Sequence, residues 1–188
     1  MQYCCECGGP ISVRVPAGDD RERFVCDHCA TVHYRNPRIV AGCLVTHEDQ
    51  VLLCRRAIQP RHGYWTLPAG FLENGETVAE GAIRETWEEA CAQVELGGLY
   101  SLYNLTHINQ IYMFYLARLR TPEFACGAES LEVALFPAER IPWQTLAFSA
   151  VRDALQHWQR DRLTGRYPLR TADIRVGADG VRTIHPAD

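Results

Sequence analysis

The stretch Gly70–Ala92, GFLENGETVAEGAIRETWEEACA, constrains this chain most. Thr77 and Glu80 form a T-x-x-E capping box, which predicts a helix opening at Thr77. At about 100° per residue, Glu85, Glu88 and Glu89 fall within an arc of about 100°. Val78, Ala82, Ile83, Thr86 and Ala90 lie on the adjacent arc and are expected to face a core. Like charges at i, i+3 and i+4 destabilise a bare helix by a few tenths of a kcal/mol each. Carboxylates crowded beside a buried stripe make sense if a cation neutralises them. Hard divalent ions such as Mg²⁺ take oxygen ligands and keep waters for a phosphate substrate. A solvated acidic face tied to Arg84 is the plainer alternative on the three glutamates alone.

The spacing favours the metal. Gly70, five residues, Glu76, seven residues, Arg84-Glu85, two residues, then Glu88-Glu89 resembles the Nudix box. Six positions agree over 20 residues. Cys91 stands where that family usually has glycine, and Ala92 where it has a larger aliphatic; Thr86 is a tolerable variant of another aliphatic position. The carboxylates are untouched.

The 188 residues suffice for one good core plus a small module. A net charge of −4 gives no sign of a nucleic-acid or acidic-membrane partner. No apolar run approaches the roughly 20 residues that span a bilayer. MQYCCECGGP has neither a basic nor an apolar leader region, so no signal peptide and a cytoplasmic location are expected.

Nine cysteines are many, and four of them are patterned. Cys4 and Cys7 form one C-x-x-C, Cys26 and Cys29 another, 18 residues apart. That is the spacing of a four-cysteine zinc ribbon. Between them ISVRVP alternates, AGDD reads as a turn and RFV resumes an extended pattern, so residues 1–36 are expected to be a β-hairpin bearing two knuckles. Too small to bury a core, the unit should depend on its zinc. Disulfides or unrelated thiols are the alternative, and Cys5 and His28 are spare ligands. Four thiolates leave no open position, so the zinc is expected to be structural. Residues 1–37 carry four arginines against five acids, and four thiolates with one Zn²⁺ add further negative charge. Nucleic-acid binding by the ribbon is therefore disfavoured, and a lid, docking surface or dimer contact is the preferred role.

Asn36-Pro37 marks the boundary of a second unit, residues 37–162. RIVAGCLVT and VLLCRRA read as strands joined by HEDQ, with Cys43 and Cys54 as small core residues. Arg55 and Arg56 end the second strand, where they meet either a diphosphate or solvent. IQPRHGYWTLPAGF is too rich in Gly and Pro for a long helix. Its Tyr64 and Trp65 either stack on a base or flavin ring or pack internally. LGGLYSLYNLTH and NQIYMFYLARLR follow; the second is nearly continuously apolar, as in a strand buried on both faces. Tyr100, Tyr103, Tyr112 and Tyr115 are expected in the core or a pocket wall, and His107 in the hairpin between the strands without a catalytic role. After the loop TPEFACGAES, LEVALF is a further strand. A last helix is predicted over about 149–160 with Val151, Leu155 and Trp158 inward. Residues 163–188 lie outside the resemblance; IRV-GADG-VRTI suggests a hairpin.

What the Nudix resemblance implies is more specific. The fold would be an α/β (α+β) sandwich, a mixed sheet between helices, behind a zinc ribbon. Glu85, Glu88 and Glu89 would hold Mg²⁺ or Mn²⁺, joined by the backbone carbonyl of Ala69, the residue before the box glycine. Arg84 would orient a neighbouring glutamate and Glu76 support the loop or an outer metal. Glu129, on the loop before a strand, would join the metals or act as base, with Glu132 its competitor. The activity would be hydrolysis of a nucleoside diphosphate linked to another group, releasing AMP from a dinucleotide-like small molecule. Among ribbon-bearing Nudix proteins, NADH pyrophosphatases carry an S-Q-P-W-P-F-P run after the box; LYSLYNLTHINQIYM contains none. FAD or ADP-ribose is therefore favoured, with NADH as the alternative. Many Nudix pyrophosphatases are dimers, so a homodimer is possible. A non-catalytic nucleotide sensor whose ribbon recruits a partner is the alternative of another class.

Overall fold

The computed structural model of the protein describes residues 1–177 and 180–186. Two compact units divide at Pro37 and Arg38.

The first unit is a three-stranded antiparallel sheet, β1 (Ile11–Arg14), β2 (Arg23–Cys26) and β3 (Val32–His33), in that order. The predicted hairpin is β1–β2. Its turn is set by Asp19, whose carboxylate accepts from the backbone amides of Asp20 and Arg21 and from Arg23 Nε at 2.8 Å. The two-residue β3 was not expected from the sequence. It pairs with β2 through Phe24–His33 and Val25–Val32, too briefly to leave a periodic signal.

The second unit is built on a mixed sheet. Its strands are β4 (Arg38–His47), β5 (Gln50–Arg56), β6 (Trp65–Thr66), β7 (Ala69–Phe71), β8 (Val94–Leu105), β9 (Gln110–Leu119), β10 (Ser130–Pro137), β11 (Arg170–Val176) and β12 (Arg182–Pro186). The main path runs β10-β5-β4-β9-β8-β11-β12, with β6 beside β5 and β7 beside β4. The β4–β9 and β8–β11 pairs are parallel and the others antiparallel. β9 lies between β4 and β8 and sends side chains into the cores on both faces of the sheet, which is why its sequence is apolar almost throughout.

Two helices cover the sheet, α1 (Val78–Ala90) and α2 (Ser149–Asp161). Strand alternation sorts the two cores. Val40, Leu44, Val51 and Leu53 pack with Val151, Leu155 and Trp158 of α2. Ala41, Cys43, Val45, Leu52 and Cys54 pack with Ala82 and Ala90 of α1. Cys43 and Cys54 are thus core residues, as expected. β11 and β12 form the predicted hairpin, though its GADG turn includes residues 178–179, outside the described residues.

One expectation for α1 is corrected. Ile83 does not face the core: it is 40% exposed. The buried arc is Gly81, Ala82, Thr86, Glu89 and Ala90, rotated toward the acidic side. A glutamate therefore occupies ground that the helical wheel assigned to an isoleucine.

Candidate active site

The capping box forms as predicted. Glu80 N donates to Thr77 Oγ1 at 3.2 Å, and Thr77 N donates to Glu80 Oε2 at 2.7 Å. Just before it, the loop 71–76 is organised by Arg84. Its Nε and Nη2 donate to the two Glu76 oxygens at 2.9 and 2.7 Å, a forked pair. Nη2 also donates to Phe71 O at 3.1 Å, and Nη1 to Glu85 Oε1 at 2.7 Å and Glu88 Oε2 at 3.0 Å. One guanidinium thus ties the loop to the helix and fixes two of the three box carboxylates. The Arg84 guanidinium holds the Glu76 carboxyl down at about 2. Gly70 is glycine because Glu85 lies against it: a Cβ would sit 2.3 Å from Glu85 Oε2.

Glu89 is different. It is 6% exposed, and its Oε2 has no hydrogen-bond partner. Burial pushes its carboxyl up to about 8, the neighbouring Glu85 charge adds to this, and Arg56 opposes it. Burial also raises Glu85. An orphaned buried carboxylate oxygen beside further carboxylates is the environment a hard cation requires. The donor set therefore fits Mg²⁺ or Mn²⁺.

The loop between β9 and β10 brings a fourth carboxylate. Ala125 N donates to Ala90 O at 2.9 Å and Gly127 N to Glu89 O at 3.0 Å, satisfying carbonyls at the end of α1. A Cβ on Gly127 would meet Glu88 O at 1.6 Å, so only glycine allows this approach. Glu129, two residues on, acts electrostatically on both Glu85 and Glu89. Glu132 lies away, on β10, with an oxygen 3.5 Å from Arg55.

These groups share a cavity of about 1080 Å³. Glu85, Glu88, Glu89, Glu129, Ala69 and Arg56 line it. The two arginines that end β5 part company. Arg56 is buried, donates to Pro60 O at 2.9 Å and lies over the Phe148 ring at 5.2 Å. Arg55 points to the opposite face and pairs with Glu132. A strand sends successive side chains to opposite faces, so only one of the pair can reach the cavity. Tyr64 and Trp65 are not in its wall, so of the two alternatives for them the ring-stacking one is not met and internal packing is. Trp65 packs edge-on against Phe136, with centroids 4.8 Å apart. The aromatic wall comes instead from Tyr112, Phe114 and Phe148.

In the first unit, Cys4, Cys7, Cys26 and Cys29 place their Sγ atoms within 4.8 Å of one another. Cys4–Cys29 and Cys7–Cys26 are 3.7 and 3.5 Å apart. A tetrahedron with Zn–S bonds of about 2.3 Å has S···S edges of about 3.8 Å. Backbone amides of Gly9, His28 and Cys29 point at the Cys7 and Cys26 sulfurs at 3.4 Å, which favours thiolates. Four such thiols suggest zinc. His28 contributes only its amide here, whereas the unremarked His33 places Nε2 3.2 Å from Cys4 Sγ.

A family model described as NUDIX domain matches residues 36–158, and one described as Nudix N-terminal matches residues 2–35. The chain belongs to the Nudix family. A Nudix hydrolase structure from Nitrosomonas europaea superposes with a TM-score of 0.88 at 46% identity, covering 92% of this chain and 99% of that one. The NAD-capped RNA hydrolase NudC of Photobacterium profundum is 33% identical over 141 residues, 72% of this chain and 49% of that protein. A MutT-like protein of Streptomyces ambofaciens is 42% identical over 118 residues, 62% of this chain and 75% of that protein. The chain spans about half, or less, of the length of the NudC proteins it matches. Nudix enzymes use divalent metals, in keeping with the carboxylate cluster. Among the described residues no helix is long and apolar enough to cross a membrane.

Sequence reasoning found the box carboxylates through their spacing. It left Arg56 paired with Arg55, although period-2 alternation alone separates them. It had no signal for Phe148 or Arg38 in the wall, because those contacts join distant segments.

Proposed function

We propose that the chain is a divalent-metal-dependent pyrophosphohydrolase that cleaves the diphosphate of FAD or ADP-ribose and releases AMP. The observation that carries this reading is the Glu89 carboxylate, buried, with one oxygen unpartnered, sharing with Glu85, Glu88 and Glu129 a cavity large enough for a dinucleotide-like molecule. Glu85, Glu88 and Glu89, with the Ala69 carbonyl, would hold the cation. A divalent cation such as Mg²⁺ or Mn²⁺ held there would supply charge neutralisation for the diphosphate and a lowered pKa for water. Arg84 orients Glu85 and Glu88 and does not touch substrate, because Glu76 and the Phe71 carbonyl occupy its remaining donors. Glu129 accepts the proton of the attacking water; Glu132, on the far side of β10 with Arg55, is the poorer candidate. Arg56 presents its charge to the diphosphate from a nearly dry position. Tyr112, Phe114 and Phe148 offer apolar faces to a planar ring.

Phosphoryl transfer needs positioning and charge neutralisation more than a protein nucleophile, which suits a site of carboxylates and arginine. A panel of FAD, ADP-ribose, NADH, a diadenosine polyphosphate and a nucleoside triphosphate, with Mg²⁺ or Mn²⁺, tests the substrate. AMP from FAD or ADP-ribose is expected. Glu88→Gln should lower kcat by about 10²–10³-fold, the scale seen on removing one transition-state electrostatic group; unchanged turnover would refute the role of this helix.

A second reading, an NAD(H)-type dinucleotide as substrate, is favoured by one observation, the 33% identity to the NudC of Photobacterium profundum. Preference for NADH in the same panel would move the substrate and keep the chemistry. The ribbon's four thiolates are read as a structural zinc centre.

A further inference from the structure

The Nudix match ends at residue 158, but the cavity wall does not. β11 continues the sheet parallel to β8, from Arg170–Ser101 to Ile174–Leu105, and β12 returns beside it with Arg182 opposite Val176. The hairpin is anchored. Ala172 and Ile174 are buried in the α2-side core. Arg170 Nη2 donates to Asp161 Oδ1 at 2.7 Å, and Tyr100 OH donates to Asp161 Oδ2 at 2.7 Å, a buried junction between α2 and β11. This anchoring places Arg182 in the cavity wall.

The carboxylates in that wall are segregated, whereas its other arginines, Arg38, Arg56, Arg61 and Arg84, are spread along it. Its carboxylates are Glu73, Glu85, Glu88, Glu89 and Glu129, gathered on the box and the β9–β10 loop. β11 runs beside β8 as far as Leu105, so Arg182, opposite Val176, lies toward the end of β8, and the wall residues between 105 and 110 include no carboxylate. Arg84 is engaged by three acids. Arg182 forms no ion pair among the described residues. From β4, on which α1 packs, to β12 is four interstrand spacings, roughly 19 Å at about 4.8 Å each. The carboxylates therefore lie at one end of the cavity, and Arg182 is a cation well removed from them. With the diphosphate held at the acidic end, the far cation meets another part of the substrate. A guanidinium there is matched to a phosphate, which it grips in a forked geometry.

We propose that Arg182 is a specificity-determining residue that selects substrates bearing a second phosphate group, esterified to a ribose, beyond the scissile diphosphate. This rests on the diphosphate-hydrolase reading above. The test compares ADP-ribose with ADP-ribose 2′-phosphate in the wild-type chain and in Arg182→Ala and Arg182→Lys. Wild type should favour the phosphorylated compound in kcat/KM by about tenfold or more, the scale of a charge-assisted hydrogen bond. Arg182→Ala should bring that ratio close to one, chiefly through KM, with kcat on ADP-ribose unchanged; Arg182→Lys should retain part of the preference. A wild-type ratio of one or below, or the same ratio in Arg182→Ala, overturns the proposal. Calorimetric affinities of both compounds for Glu88→Gln, with and without Arg182→Ala, separate this from the parent reading. If wild type hydrolyses neither compound but the affinity ratio still collapses without Arg182, the hydrolase reading falls and the selector stands. If neither compound binds, both fall.

Discussion

The two units place metal ligands in opposite relations to their cores. In the ribbon the ligands are the core: among residues 1–37 the buried side chains are Cys4, Val25 and Cys26. A three-stranded sheet closed over one valine has little apolar area to offset the entropy of ordering it. In the sheet domain the core is complete without metal, with apolar clusters on both faces of the sheet. There the site is a charge set into the edge of a finished core, and Glu89 is the point of conflict. On the proposed reading, metal builds the first unit, and the second unit tolerates its metal site at a cost in stability.

The largest expected effect tests the first half of that contrast. Chelation, or Cys26→Ser, should unfold the ribbon outright, since structural zinc contributes about 10 kcal/mol or more to such modules. Hydrogen exchange should lose protection over residues 1–37 while α2 and β9 keep theirs, and metal analysis should give one zinc per chain. Retained protection in the ribbon after zinc removal would break the comparison.

The second half predicts an inverse effect at Glu89. Its folded pKa is raised to about 8, against about 4.3 for an unfolded glutamate. Between those values the folded chain binds a proton that the unfolded chain lacks. Stability of the metal-free protein should therefore fall as pH rises from about 4.3 to 8, by a few kcal/mol in all. Glu89→Gln should flatten this slope and stabilise the metal-free protein near pH 8, and Mg²⁺ or Mn²⁺ should restore the wild type there. Melting curves across that pH range decide it; equal slopes in the two proteins would remove Glu89 as the cause.

The smallest effect sits at the exit of α1. Cys91 adopts a left-handed conformation, φ 47°, while its N–H caps Trp87 O. A side chain there costs about 1–2 kcal/mol, and glycine returns about half of that as chain entropy. Cys91→Gly should raise the melting temperature by about 2–4 °C without changing turnover.

Much of this was legible in the chain. The helix start at Thr77, the inward face of α2 at Val151, Leu155 and Trp158, and the grouping of four cysteines all follow from fixed local spacing. Ile83 was not legible. Helical periodicity defines the arc on which it lies but not how far the sheet reaches around the helix, and the sheet reaches toward Glu89 instead. The third ribbon strand, with two residues, is too short to carry a pattern. Tyr64 and Trp65 carried the right chemistry for a ring site, yet Trp65 went to Phe136 because β6 pairs with β5 and faces the core.

Local spacing in the chain already settles which residues can carry the chemistry. Spacings of three and four on a helix put Glu85, Glu88 and Glu89 together, and two C-x-x-C turns put four thiols within reach of one ion. These are local facts, set by backbone geometry over at most a few turns. Which of those groups is desolvated, and what stands opposite, follows from long-range packing. It buried Glu89, split Arg55 from Arg56, laid Gly127 against the Glu88 carbonyl and carried Arg182 to the cavity. Burial and field depend on segments tens of residues apart, and no local period records them.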